Sequence, residues 1–126
     1  MNILDENVAE SQRQRLRDRG LRIRQIGYDV GRKGIKDPEI IPLLHRLRRS
    51  TLFTLDAGFH RRSRCHSTYC LVYLDVDDGE IADWVRRFFR HPEFDTLAKR
   101  LGTVVRVSSA GIRRWRRSGD EEAVAW

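Results

Sequence analysis

The sequence predicts an α/β domain built on a doubly wound, mostly parallel sheet of four to five strands with helices on both faces. Three observations predict it. Short apolar or β-branched runs alternate with stretches whose apolar residues recur at helical spacing, the pattern of strands joined by right-handed helical crossovers. Acidic residues stand at the ends of successive apolar runs, where a parallel sheet gathers them on one edge. The length of 126 residues fits one domain with a core of its own.

The elements follow in order. Met1 to Leu4 is apolar and runs at once into Asp5-Glu6-Asn7, a buried strand ending in an acidic turn. Asn7 and Glu10 have capping-box spacing, so a helix is expected over 8–19, stopped by Gly20. Its apolar side is thin, and Arg13, Arg15, Arg17 and Arg19 make it strongly basic. Leu21 to Ile26 alternates with strand period, and Gly27, Gly31 and Gly34 mark a loop. Asp37-Pro38-Glu39 opens a second helix whose apolar face is Ile40, Ile41, Leu43, Leu44 and Leu47. Pro42 removes a backbone donor and predicts an irregular first turn. Thr51 to Leu55 is a strand ending in Asp56, followed by a basic loop over 57–67. Cys70 to Val76 is a strongly apolar strand running into Asp75, Asp77 and Asp78. Ile81, Trp84, Val85, Phe88 and Phe89 mark a helix broken at His91-Pro92, and Phe94, Leu97 and Leu101 mark a shorter one stopped by Gly102. Thr103 to Val107 is the last regular strand, and 112–117 a basic arm or final strand. The domain is expected over 1–118, with 119–126 a loose tail.

Composition narrows the function classes. With 40% hydrophobic and 34% charged residues the chain is polar without being disorder-like. It lacks an apolar run near the ~20 residues of a membrane span and does not open on a basic-then-apolar leader, so a cytoplasmic protein is expected. Cys65 and Cys70 read as reduced thiols. The net charge of +7 and pI of about 10.2 point to a polyanion or an acidic protein as partner. The excess is almost all arginine, since Lys33, Lys36 and Lys99 are the only lysines; codon usage in a GC-rich genome would give the same bias. Arg61-Arg62-Ser63-Arg64, Arg86-Arg87 and Arg113 to Arg117 are either phosphate contacts, with Trp115 placed to stack on a base, or solvated faces. Trp84, Phe88 and Phe89 read as core or as a homodimer contact. His60, Cys65, His66 and Cys70 lie close in sequence, but their spacing matches no common zinc finger.

The chemistry concentrates on Asp5, Asp37 and Asp56. Two unit negative charges about 4 Å apart repel by roughly 4 kcal/mol at an effective dielectric near 20. A cluster of carboxylates therefore needs a shared proton, a basic side chain or a metal. Oxygen-only donors favour Mg2+ or Mn2+, which can activate water for phosphodiester cleavage. Each acid also has a plain reading: Asp5 satisfying turn amides, Asp37 capping a helix, Asp56 closing a turn.

Three segments carry a resemblance: ILDENV at 3–8, KDPEI at 36–40 and FTLDAGFH at 53–60. Together with the apolar strand CLVYLDV they resemble the compact PIN-like family, which is similar to toxin–antitoxin ribonucleases. The resemblance implies a PIN-like fold and a metal-dependent endoribonuclease, the toxin of a toxin–antitoxin pair, with RNA as substrate and an acidic antitoxin as partner. It makes Asp5 and Asp56 metal ligands and Asp37 a third acid. Thr54 would orient Asp56 or contact a bridging water, while Glu6 and Asn7 support the site or cap locally. Arg13 and Arg17 of the first helix and Arg61, Arg62 and Arg64 of the basic loop would grip RNA phosphates. The chain departs from the family's Thr-x-Asp-x-Asp pattern, with Gly58 at the second Asp, and starts one residue short of the usual opening. The lost carboxylate weakens a second metal position, leaving a one-metal enzyme, compensation by Asp75 or Asp77, or a non-catalytic module that binds RNA or an acidic protein. A phosphoacceptor receiver domain is excluded, because no lysine follows the last strand.

Overall fold

A computed structural model describes residues 1–126. The strands are β1 (Asn2–Leu4), β2 (Arg24–Gln25), β3 (Ser50–Thr54), β4 (Tyr69–Leu74), β5 (Val104–Ser108), β6 (Gly111–Trp115) and β7 (Glu122–Val124). The helices are α1 (Glu10–Asp18), α2 (Asp37–Leu47), α3 (Ile81–Arg90) and the single turn α4 (Leu97–Arg100). All strands belong to one seven-stranded sheet in the order β2-β1-β3-β4-β5-β6-β7. The first five are mutually parallel, while β5, β6 and β7 pair antiparallel.

The expected sheet of four to five strands, doubly wound and PIN-like, is thereby corrected. The sheet has seven strands and is mixed. The β3–β4 link carries only two short 3-10 turns, Ala57–Phe59 and Arg62–Arg64, because residues 57–67 offer no apolar stripe for a helix to bury. Uniform right-handed winding also fails. The α1 and α3 crossovers pass over the same face, packed on one another, yet move in opposite directions across the sheet and so have opposite hands. The tail expected over 119–126 is no tail. It supplies β7, and Trp126 donates its indole N–H to the Ser108 carbonyl at 2.7 Å and packs on Trp84.

Two apolar layers enclose the sheet. On one face Leu4, Phe53, Val72 and Val105 meet Leu16 of α1 and Val85 and Phe88 of α3. On the other, Ile3, Leu52, Leu71 and Val104 meet Ile40, Leu43 and Leu44 of α2. The central strand β3 is buried throughout, which accounts for its unbroken apolar and β-branched sequence. Trp84, Phe88 and Phe89 belong to this packing; Phe88 and Phe89 both sit edge-on to Phe53.

Local chemistry sets the helix ends. Gly20, at φ +81°, closes α1 in a Schellman motif, with Leu21 N–H to Leu16 C=O and Gly20 N–H to Arg17 C=O. The capping box expected at Asn7 and Glu10 does not form: α1 starts behind Ala9, and the Asn7 amide bonds the Asp5 carboxylate instead. Helix α2 runs unbroken through Pro42. Two buried glutamines stitch elements together. Gln12 accepts the Ala82 amide at the start of α3, and Gln25 donates to the carbonyls of Asp5, Glu6 and Val8. No helix is long and apolar enough to cross a membrane.

The docked C-terminus gives the first prediction. Trp126→Ala loses the indole bond and the Trp84 contact, and should destabilise the fold by about 2 kcal/mol. The measurement is a urea melt; an unchanged midpoint would restore the loose tail.

Candidate functional site

Strand order reverses at β1 and β3: from β1 the chain moves outward to β2, then crosses back to β3 on the other side. The crevice beyond the carboxyl ends of two such strands is where open parallel sheets bind ligands. Asp5 leaves β1 there, its amide bonding the Phe53 carbonyl at 2.8 Å, and Asp56 stands two residues past the end of β3. The expectation that these acids share one rim agrees with their placement.

The three acids are not equivalent. Asp5 is surrounded by protein donors: the Asn7 amide on Oδ1 at 3.0 Å, and the Thr54 hydroxyl at 3.1 Å and Leu55 amide at 3.4 Å on Oδ2. The Thr54 oxygen in turn accepts the Asp56 amide at 3.1 Å, so Thr54 is the buried hinge between the two aspartates. Asp56 closes its own turn, with Oδ1 accepting the Gly58 amide at 2.8 Å. Asp37 is the first residue of α2, behind Lys36, and makes no capping bond. Its carboxyl lines the same small pocket as that of Asp56 and interacts with it.

That contact is the electrostatic signature of the site. The hydrogen bond to Asp56, partial desolvation and the negative charges of Asp56 and Asp5 push the Asp37 carboxyl above the ordinary carboxylate range, while Arg64 pulls the other way. Asp37 and Asp56 open into a pocket of about 150 Å³ walled by Gly58, Phe59, Arg61 and Arg64. A Cβ built on Gly58 would lie 3.1 Å from Asp56 Oδ1, so a side chain there would crowd the carboxylate that accepts the Gly58 amide.

Around the pocket the assignments divide. Arg61 and Arg64 line it. Arg62 turns away to the Gly119 carbonyl. Arg13 and Arg17 are committed to Asp29, at 3.0 and 3.3 Å, where they pin α1 to the loop after β2. Glu6 takes no part in the acid contact. Both its oxygens accept the Gly34 amide at 3.0 Å, and Gly27 presses so close that a Cβ would stand 2.7 Å from Glu6 Oε2. Glu6 therefore shapes the glycine loop that delivers Asp37. Asp75, a candidate for compensation, is held by Arg106.

No family model, no curated protein and no solved structure matches this chain.

No three His, Cys, Asp or Glu side chains close on one point as a full metal shell. The zinc candidates are dispersed. His60 pairs with Glu121 at 2.7 Å, His66 with Thr68, Cys65 with the Trp115 carbonyl, and Cys70 with Thr103. Both thiols are free, and burial pushes that of Cys70 up to about 12. Two carboxylates in contact remain a fitting seat for a hard cation, since Mg2+ is ordinarily held by one or two protein carboxylates with water and phosphate oxygens completing its octahedron.

The raised Asp37 fixes a sign. In that range the folded chain holds a proton that the unfolded chain has released. Stability therefore falls as pH rises from the ordinary carboxylate value through the raised one. Asp37 is exposed, so solvent screens the effect: Asp37→Asn should melt slightly higher than the parent at pH 7 and match it at pH 3, read by thermal denaturation across pH. A variant that melts lower at neutral pH would show that the two carboxylates do not repel.

Proposed function

We propose that the protein is a ribonuclease that uses Mg2+ or Mn2+ at the Asp37–Asp56 contact, the toxin of a toxin–antitoxin pair. The observation that carries the reading is that two carboxylates, Asp37 and Asp56, line one small pocket in the β1/β3 crevice, with no basic side chain hydrogen-bonded to either. Such crowding is tolerable when a cation bridges the oxygens. Bound there, the cation would act as a Lewis acid on a phosphodiester oxygen and lower the pKa of a coordinated water.

The chain's own residues supply the rest. Asp37 and Asp56 are the ligands. Asp5, with its oxygens engaged by three donors, acts mainly as a positioning residue: through Thr54 it fixes where Asp56 stands, and its charge deepens the negative potential. Glu6 holds the loop leading to Asp37. Arg61 and Arg64, on the pocket wall, would receive the phosphates flanking the scissile bond, where a guanidinium fork matches the phosphate oxygens. The motif resemblance and the net charge of +7 support an acidic antitoxin as natural partner.

A second reading has its own support. Gly58 leaves the site one acid short, and only two carboxylates meet. The protein would then be a non-catalytic module binding RNA or an acidic protein.

Manganese separates the two. An enzyme gains melting temperature with added Mn2+ and cuts RNA, and a chelator removes both effects. Asp37→Asn and Asp56→Asn should lose both responses. Asp5→Asn should lower metal affinity by about 10- to 100-fold and recover at higher Mn2+, as outer-sphere partners do. Salt-sensitive RNA binding with neither thermal shift nor cleavage would leave the module standing and the enzyme refuted.

A further inference from the structure

We propose that single-stranded RNA reaches the acidic pocket along one row of residues that crosses the open half of the sheet, with Tyr73 stacking a base and Arg106 and Arg113 holding phosphates. The row is fixed by strand register. Thr54 pairs with Tyr73, Tyr73 with Arg106, Arg106 with Arg113, and Arg113 with Ala123. Cross-strand partners point to the same face, so these side chains line up perpendicular to the strands. The row starts at the threonine that joins Asp5 to Asp56. At about 4.8 Å per strand it runs roughly 14 Å from Thr54 to Arg113.

This face is open only toward the carboxyl ends of β4 and β5. Helix α2 packs on Ile3, Leu52, Leu71 and Val104, the β3–β4 link reaches Gly119 and Glu121 through Arg62 and His60, and no helix covers Tyr73, Arg106 and Arg113. Beyond Tyr73, which is half-buried, Arg106, Arg113 and Ala123 are exposed. They border a groove of about 710 Å³ that also takes in Ser108 and Gly111.

The charges suit a phosphate backbone. Arg106 is paired with Asp75 and Arg113 with Glu121, so a phosphate must compete with those carboxylates, but each arginine still exposes about half its side chain, 46% and 51%. Arg61 and Arg64 stand on the wall of the acidic pocket with Asp37 and Asp56. An acidic peptide would satisfy the arginines, but it gives no reason for an aromatic ring set between them and two clustered carboxylates. A nucleic-acid strand does: its bases stack on the ring while its phosphates alternate between guanidinium and cation. The strand is single because a duplex keeps its bases stacked inside.

The inference rests on the ribonuclease reading for what happens at the end of the track, so its test is run without metal. A fluorescent single-stranded RNA twelve nucleotides long is titrated in chelator at several salt concentrations, by anisotropy. Arg106→Ala/Arg113→Ala should weaken binding at least tenfold. It should also lower the slope of log affinity against log salt by about 1.4, two phosphate contacts at roughly 0.7 each. Tyr73→Ala should weaken binding about tenfold and Tyr73→Leu nearly as much, whereas Tyr73→Phe should bind as the parent does. Arg86→Ala/Arg90→Ala, on α3 across the sheet, removes the same charge and should leave the slope unchanged. Circular dichroism confirms that each variant is folded. The track is overturned if the control pair loses as much as Arg106 and Arg113. It is equally overturned if Tyr73→Ala binds normally, or if polyglutamate or duplex RNA competes as well as single-stranded RNA. Binding that follows the row without cleavage in Mn2+ would sink the enzyme and keep the track; cleavage indifferent to the row would do the reverse.

Discussion

The parallel pairing of β1 with β3 positions the acidic rim and the helix that crosses to it. It sets Leu4 opposite Phe53, and so brings the residues that follow, Asp5 and Thr54, into contact although they lie far apart in the chain. Because β2 adds to the outer side of β1, the chain must cross back over the sheet to reach β3. Helix α2 performs that crossing, and its first residue is Asp37. Three acids thus arrive at one rim by three routes, each dictated by backbone pairing.

Their arrangement is graded. Asp5 spends its lone pairs on a hydroxyl and two amides, which stiffens the turn and leaves it little freedom to ligate. Asp37 has no such partners and leans on Asp56, where its proton is held more tightly than usual. A site made of one fixed acid and two crowded ones stores repulsion that a proton or a cation relieves. Gly58, with no Cβ, lets its amide approach Asp56 Oδ1 without a side chain crowding the carboxylate.

The antiparallel strands β6 and β7 change the character of the molecule. A helix-covered parallel sheet would hide both faces, whereas the terminal β5–β6–β7 meander adds strands without adding helices. One face of this extension is sealed by α3, the buried Arg114 and Trp126. The other is left polar and grooved. The basic excess is therefore spent in different ways: Arg13 and Arg17 brace a helix, Arg100 and Arg114 are buried, and Arg61 and Arg64 stand at the pocket.

Local patterns in the chain suffice for the α/β class, the apolar strands β3 and β4, the three long helices and the acids at the strand ends. Each of these is a local matter: periodicity, a glycine such as Gly20, or an Asp directly after an apolar run. Tertiary structure decided what locality cannot encode. Residues 122–124 carry too weak a pattern to be read as a strand, and become one only because β6 presents an edge to pair with. Arg13 and Arg61 look alike in sequence, yet one meets Asp29 and the other the pocket. The division of labour between Asp5 and Asp37 depends on which amides surround each carboxylate, and those amides are placed by pairing between segments up to fifty residues apart.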